Sequence, residues 1–182
     1  MRIENTFEVP ATPDAAWVLL MDVPRVVPCM PGAEIERTID DSTWEVRQRV
    51  KLGPISLQFR SQVRRRELDE TNRRAVLSVS AKEARGRGGA DATVDCALEP
   101  VGGGTRVTVV TELELRGTVA QYGRPVVGSV AENLTRQFAA CLASLLEGDA
   151  GASPSPPPPA AEPVAGVRLL LGTLWGRLFR RR

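Results

Sequence analysis

The middle of the chain, residues 43–116, alternates between apolar and polar side chains over five consecutive segments. In residues 44–52, for example, Trp44, Val46 and Val50 alternate with charged residues. The same pattern returns at 57–64, 77–81, 92–98 and 107–115, and glycine-rich sequences at 86–89 and 102–104 separate the last three segments. A period of two is typical of strands with one buried and one solvated face, and such glycines favour hairpin turns. The pattern therefore predicts an antiparallel meander.

A strand and two helices are predicted on either side of this meander. Residues 2–9 are expected to form a strand, and a helix is expected to begin near Pro13 and to end before Pro24. From Gly117 to Glu147, apolar residues recur at helical spacing and predict one long helix. Because nothing else in the chain can cover the apolar face of the sheet, this helix should lie across its concave side. The predicted fold is α+β, a helix grip in which a curved antiparallel sheet wraps around a long C-terminal helix.

The composition excludes several classes of enzyme and of binding protein. The chain has no histidine, which removes Ser-His-Asp and Cys-His catalytic systems and histidine-ligated zinc. Its three cysteines, Cys29, Cys96 and Cys141, are far apart, so that we expect buried thiols, no disulfide and no metal site. Residues 1–147 are nearly neutral and aromatic residues make up only 4% of the chain, which argues against a nucleic-acid partner. No catalytic residue is predicted.

A proline-rich segment divides the chain. Residues 148–163 contain six of the fourteen prolines and almost no large apolar residue, which is typical of a linker in largely extended conformation. The sequence therefore predicts a domain at 1–147, a linker at 148–163 and a terminal segment at 164–182. The N-terminus carries acidic residues where a secretory signal would have a long apolar run, so that a cytoplasmic location is expected.

The terminal segment is basic and amphipathic, and it is predicted to form a helix tethered to the domain by the linker. It is too short and too interrupted by arginine to span a bilayer. Such a helix suits the headgroup region of an anionic membrane, where each arginine contributes about 1 kcal/mol. The residues expected to contact lipid are Leu170, Leu171, Leu174, Trp175, Arg177, Leu178, Phe179, Arg180, Arg181 and Arg182. The alternative is a helix that docks on the domain or in a groove of a partner protein.

Several segments of the domain resemble one protein family. They are CMPGAE at 29–34, VKLGPISLQF at 50–59, ARGRGGADATV at 84–94, GGGTRV at 102–107, and GTVAQYGRPVV with VAENLTRQFAACL between 117 and 142. In this order and spacing they resemble the carbon monoxide dehydrogenase subunit CoxG, whose family belongs to the START-like (SRPBCC) ligand-cavity superfamily. The resemblance extends from about residue 1 to residue 146.

The resemblance implies a non-catalytic accessory protein of the molybdenum carbon monoxide dehydrogenase, or of a related hydroxylase, peripheral on the inner face of the cell membrane. It also implies that an apolar cavity carries an isoprenoid quinone, menaquinone or ubiquinone, from the bilayer to the dehydrogenase as electron acceptor. No covalently bound cofactor is expected. Two alternatives stay open at this point: a scaffold that only recruits the dehydrogenase to the membrane, and an enzyme of the polyketide-cyclase type that this fold also hosts.

The cavity is expected between the concave sheet and the long helix, where such a fold is often incompletely filled. The residues predicted to line it are Met30, Pro31, Phe59, Val79, Val94, Val109, Val119, Tyr122, Val126 and Val130. Tyr122 could donate a hydrogen bond to a quinone carbonyl, and the alternative is a core tyrosine bonded to the backbone. For the apolar strand positions the alternative is a filled core. Arg64, Arg65 and Arg66, and likewise Arg85 and Arg87, could dock an acidic partner or could simply be solvated.

Overall fold

The computed structural model describes residues 1–52 and 55–151, and the predicted lipid-binding residues of the terminal segment lie outside these ranges. The strands in the described part are β1 (Arg2–Val9), β2 (Ala33–Asp40), β3 (Thr43–Leu52), β4 (Ile55–Asp69), β5 (Arg74–Glu83), β6 (Gly88–Val101) and β7 (Gly104–Gly117). The helices there are α1 (Pro13–Met21), α2 (Val23–Val26) and α3 (Gly123–Gly151), with 3₁₀ turns at Val27–Cys29 and Thr118–Tyr122.

The strands form one antiparallel sheet in the order β1-β7-β6-β5-β4-β3-β2. Its register explains the alternation in the sequence. One row of paired residues runs from Val46 on β3 to Leu115 on β7 and lies on the concave face, toward α3. The neighbouring row, from Arg47 to Arg116, points to the other side of the sheet. The predicted helix grip is confirmed.

The first helix begins and ends where its sequence predicts. The Thr12 hydroxyl accepts a hydrogen bond from the backbone N–H of Ala15, 3.4 Å away, and caps the N-terminus of α1. Pro13 occupies the first helical position, where its missing N–H costs nothing. Pro24 lies in the first turn of α2, so that a new helix starts there instead of a continuation of α1.

The closing helix differs from the prediction at its start. The sequence predicted one helix from Gly117 onward, whereas residues Thr118–Tyr122 form a 3₁₀ turn and α3 begins at Gly123. Gly123 has a φ of 72°, a left-handed conformation that interrupts a right-handed helix, and Pro125 then lies in the first turn. At its other end α3 continues beyond Glu147 to Gly151. The interruption changes which side chains of the helix face the sheet.

The main apolar core fills the end of the grip where α1 and the second half of α3 pack on the sheet. Val107 of β7 and Leu142 of α3 are fully buried there, together with Trp17 and Leu19 of α1. A smaller cluster around Trp44 and its neighbours lies under α2. The core is thus built on the second half of α3, and the first half lies over a different part of the sheet.

Cys29 and Cys141 form a disulfide between the 3₁₀ turn Val27–Cys29 and α3, with a Cα–Cα distance of 5.4 Å. The expectation of unpaired thiols is therefore wrong for this pair. The two residues are separated by 112 positions, and no local spacing in the sequence signals a bond over such a distance. Cys96 remains a free thiol, and burial raises its pKa to about 12.

The disulfide should stabilise the domain because it closes a loop of more than a hundred residues in the unfolded chain. We expect Cys141→Ser, or treatment with dithiothreitol, to lower the free energy of unfolding by about 2–5 kcal/mol. Urea denaturation with and without the reductant measures the change. As a control, reductant should have no further effect on the Cys29→Ser/Cys141→Ser double variant. A wild-type transition that does not respond to reductant would contradict the stabilising role.

Candidate functional site

A cavity of about 290 Å³ lies between the concave face of the sheet and the first half of α3. Strands β3 to β7 supply most of its floor, and the 3₁₀ turn and α3 form its roof. The apolar residues that line it are Ile3, Val50, Leu57, Phe59, Val79, Ala81, Ala90, Ala92, Leu113, Leu115, Val119, Val127, Val130, Ala131 and Leu134. A concave, mostly apolar site with a few polar groups is typical of small-molecule pockets.

The polar side chains in the lining are Gln48, Ser61, Thr111 and Tyr122. Within residues 1–52 and 55–151, the lining includes no carboxylate, lysine or arginine. The hydroxyl and amide groups can donate hydrogen bonds to a ligand carbonyl, and none of them is charged at neutral pH. The cavity can therefore bind and orient a neutral apolar ligand that carries hydrogen-bond acceptors.

A second, more polar opening of about 370 Å³ adjoins the cavity. It shares Val50, Val130 and Leu134 with the cavity and lies between β2–β3 and α3. We call it the vestibule. Its remaining lining residues are Pro31, Gly32, Glu34, Arg47, Arg49, Lys51, Gln58, Asn133 and Gln137. The vestibule is thus apolar where it adjoins the cavity and carries charged side chains elsewhere.

Pro31 and Gly32 of the CMPG sequence line this vestibule, and Gly32 holds the loop in place. The backbone N–H of Arg49 donates to the carbonyl of Gly32 at 2.9 Å, which holds the loop against β3. Gly32 has a φ of 74°, and a Cβ at this position would lie 2.6 Å from the carbonyl oxygen of Arg49. Only glycine allows this close approach without a shift of the backbone. Pro31 lines the vestibule, whereas Met30 lines neither the vestibule nor the cavity.

The turn between β5 and β6 is organised by Glu83, whose side chain is buried. Its carboxylate accepts hydrogen bonds from the guanidinium of Arg87 at 3.0 Å and from the backbone N–H groups of Arg85 at 2.8 Å and Arg87 at 3.2 Å. These bonds, with that from the Arg87 side chain foremost, lower the pKa of Glu83 to about 2 despite its burial. Because the folded-state pKa is depressed, the stabilisation is complete above the unfolded value near 4.5 and is lost as the pH falls toward 2.

Arg87 joins three segments at this end of the grip. Its guanidinium also donates to the carbonyl of Ser56 on β4 at 3.1 Å. Its own carbonyl accepts hydrogen bonds from the Thr118 hydroxyl at 2.6 Å and from the backbone N–H of Val119 at 3.2 Å. The β5–β6 turn, the β3–β4 hairpin and the 3₁₀ turn before α3 are therefore held together by one residue. Val119 and Tyr122 of that 3₁₀ turn line the cavity, so that Arg87 positions part of its wall.

Half of the residues predicted for the cavity lie in its lining. These are Phe59, Val79, Val119, Tyr122 and Val130. Tyr122 belongs to the 3₁₀ turn instead of the helix in which it was predicted.

Four predicted residues lie elsewhere, and their positions correct the assignment. Val126 is 41% exposed, because α3 starts anew at Gly123 and turns the neighbouring Val127 toward the sheet instead. Val109 packs against the main core, farther along β7. Val94 and Met30 line neither opening.

Sequence reasoning missed five residues of α3 that line the cavity or the vestibule. Val127, Ala131 and Leu134 line the cavity, and together with Val130 they follow the spacing of one helical face. A prediction in which the helix starts at Gly123 would have placed these residues on the face toward the sheet. Asn133 and Gln137, which line the vestibule, carry no apolar signal and could not have been found from periodicity.

A search for membrane-spanning segments within residues 1–52 and 55–151 finds no helix long and apolar enough to cross a bilayer.

Comparison with solved structures places this cavity in a known fold. A conserved protein from Geobacillus kaustophilus superposes with a TM-score of 0.74 at 19% identity, covering 82% of this chain and 97% of that one. The ZhuI aromatase/cyclase from Streptomyces sp. R1128 gives 0.60 at 17% identity, covering 86% and 99%. A START superfamily protein from Mycobacterium smegmatis gives 0.52 at 18% identity, covering 81% and 97%. At these identities the likeness shows a shared fold.

Comparison of sequences is more specific. No curated protein sequence matches this chain. A family model described as the carbon monoxide dehydrogenase subunit CoxG matches residues 6–147, which span the whole sheet apart from the first residues of β1, and most of α3. Two of the segments that carried the resemblance in the sequence contact the site: Pro31 and Gly32 line the vestibule, and Arg87 of the β5–β6 turn is bonded to the 3₁₀ turn that carries Val119 and Tyr122. The chain belongs to the CoxG family of carbon monoxide dehydrogenase subunits.

Proposed function

We propose that this protein is a non-catalytic accessory protein that carries an isoprenoid quinone, menaquinone or ubiquinone, for a molybdenum carbon monoxide dehydrogenase or a related hydroxylase. The observation that carries the proposal is the apolar cavity between the concave sheet and the first half of α3. An isoprenoid quinone is nearly insoluble in water, so that moving it from a bilayer to an enzyme requires a container that shields it. Membership of the CoxG family supports the choice of dehydrogenase.

The chemistry of the lining matches such a ligand. A quinone ring is flat and apolar, carries two carbonyl acceptors and has no hydrogen-bond donor. The side chains of Gln48, Thr111 and Tyr122 are donors in the lining, and Phe59 offers an aromatic face. The hydroxyl of Tyr122 is the donor that we assign to a ring carbonyl, because this residue lines the cavity beside Val119 and does not line the vestibule.

The size of the cavity suits the ring better than the whole molecule. Its volume of about 290 Å³ is at the lower end of the range of small-molecule pockets, about 300–1,000 Å³. The isoprenoid chain then has to leave through the vestibule, whose inner residues Val50, Val130 and Leu134 are apolar. In this arrangement the ring is shielded, and the chain leads back toward the surface.

The cyclase alternative is supported by a structural neighbour whose name describes an aromatase/cyclase. An enzyme of this kind needs acid or base groups that reach its substrate. In the described part of the chain the cavity lining contains only uncharged polar groups, and this favours a carrier. A scaffold that only recruits the dehydrogenase would need no cavity, so that bound ligand separates it from a carrier.

Two adjacent valines of α3 provide a matched test of the carrier. Val127 lines the cavity, and Val126, its neighbour, is 41% exposed. We expect Val127→Trp to fill the cavity and to weaken quinone binding by about tenfold or more, because overpacking costs about 1–3 kcal/mol. Val126→Trp adds the same side chain outside the cavity and should bind quinone as the wild type does. Equilibrium dialysis of the full chain with a short-chain menaquinone measures both.

The two variants must first show cooperative thermal unfolding, so that a loss of binding is not a loss of the fold. Equal quinone binding by folded Val127→Trp and Val126→Trp would contradict a site between the sheet and α3. No saturable binding by the wild type would leave only the scaffold.

The terminal segment is the membrane anchor in this proposal. Its leucines and Trp175 would lie among lipid headgroups at the inner face of the cytoplasmic membrane, with the arginines near anionic phosphates. The anchor would keep the cavity close to the bilayer while the proline-rich linker allows it to reach the dehydrogenase. Disulfides are rare in cytosolic proteins, so that the Cys29–Cys141 bond would be an exception at this location.

The anchor is tested in the full chain by Leu171→Ser/Leu174→Ser/Trp175→Ser. Burying one such side chain in an apolar environment contributes about 1.5–3 kcal/mol, so that this variant should no longer co-sediment with anionic vesicles. Thr173→Ser on the opposite face of the predicted helix serves as the control and should still bind. Co-sedimentation of the triple variant at the wild-type level would refute the anchor.

A further inference from the structure

A cleft lined by three arginines lies beside the vestibule, at the open end of the grip. It has a volume of about 520 Å³ and shares Arg49 and Gln58 with the vestibule. Arg85 and Arg87 of the β5–β6 turn form its other side. The remaining lining residues are Ser56, Glu83 and Ala84.

The charge of this cleft is positive and mostly uncompensated. Glu83 supplies the carboxylate of the lining, and it is already bound to Arg87 and to two backbone N–H groups. Among the described residues, no carboxylate lies within salt-bridge distance of the exposed side chains of Arg49 and Arg85, nor of Lys51 in the vestibule. The guanidinium groups of Arg49 and Arg85 are therefore available for an anion.

We propose that this cleft binds the phosphate of an anionic phospholipid and thereby docks the mouth of the cavity on the membrane. Arginine donates several hydrogen bonds in one plane and matches the oxygens of a phosphate. The cleft and the vestibule are adjacent, so that a headgroup held by Arg49 and Arg85 would place the vestibule against the bilayer. The proposal rests on the carrier function, and it gives the domain a membrane contact of its own besides the terminal segment.

The position of the cleft favours a lipid surface over an acidic protein. It shares Arg49 and Gln58 with the vestibule, through which the proposed ligand passes between the bilayer and the cavity. Cationic side chains beside such an opening suit the headgroup region of an anionic membrane.

The experiment compares two double variants of the full chain that have the same net charge. Arg49→Gln/Arg85→Gln removes two cations of the cleft. Arg64→Gln/Arg66→Gln removes two exposed cations of β4 that also have no carboxylate partner within the described residues. Each protein is co-sedimented with vesicles of phosphatidylcholine alone and of phosphatidylcholine mixed with phosphatidylglycerol. The partition coefficient of the cleft variant onto the mixed vesicles should fall about thirtyfold, as expected for the loss of two cations at an anionic surface. The partition coefficient of the β4 variant should fall much less.

Equal losses in the two variants would overturn the proposal, because the effect would then be one of overall charge. It would also be overturned if the cleft variant bound the mixed vesicles normally but lost affinity for an acidic polypeptide such as polyglutamate, or for inorganic phosphate alone. Quinone binding in vesicle-free solution separates this test from that of the carrier. We expect Arg85→Gln, which changes the cleft but not the vestibule, to bind quinone as the wild type does while it extracts quinone from mixed vesicles more slowly.

Discussion

A single long helix has to cover the concave face of a seven-stranded sheet. The helix is much narrower than the sheet, and the rest of the structure follows from this difference. Seven strands at a spacing of about 4.8 Å are about 29 Å wide, whereas a helix with its side chains is about 10–12 Å across. At one end, α1 and α2 supply the missing side chains, and Trp17, Leu142 and Val107 pack into a core. At the other end no further element is available among the described residues, and the space under the first half of α3 remains a cavity.

The two halves of α3 therefore have different roles. The second half is held in the core by Leu142 and Leu146 and is joined to the first 3₁₀ turn by the Cys29–Cys141 disulfide. The first half contributes no residue to the main core cluster and borders the cavity and the vestibule. The start of α3 is held by Arg87, whose carbonyl accepts hydrogen bonds from the 3₁₀ turn that precedes the helix. A helix anchored at both ends can stay in place above an unfilled space.

The sequence predicted six of the seven strands, because strand alternation depends only on neighbours along the chain, and it missed β2, whose pairing with β3 is irregular at two points. Phe59 and Val79 were assigned to the cavity on this ground, and they line it. The helix was predicted less well. Gly123 interrupts it, and the helix that begins there directs Val127 toward the cavity and leaves Val126 exposed. The disulfide and the role of Arg87 depend on contacts between segments far apart in the chain, and periodicity carries no information about them.

The central claim is that the space under α3 holds a quinone. The most direct test is to identify the ligand that copurifies with the protein. The full chain would be purified without detergent from a host that makes menaquinone or ubiquinone, and its organic extract would be analysed by mass spectrometry. The account predicts an isoprenoid quinone in an amount comparable to the protein, and a strongly reduced amount in the extract of Val127→Trp. An extract that contains only phospholipid or no lipid at all, from a protein shown to be folded, would contradict it.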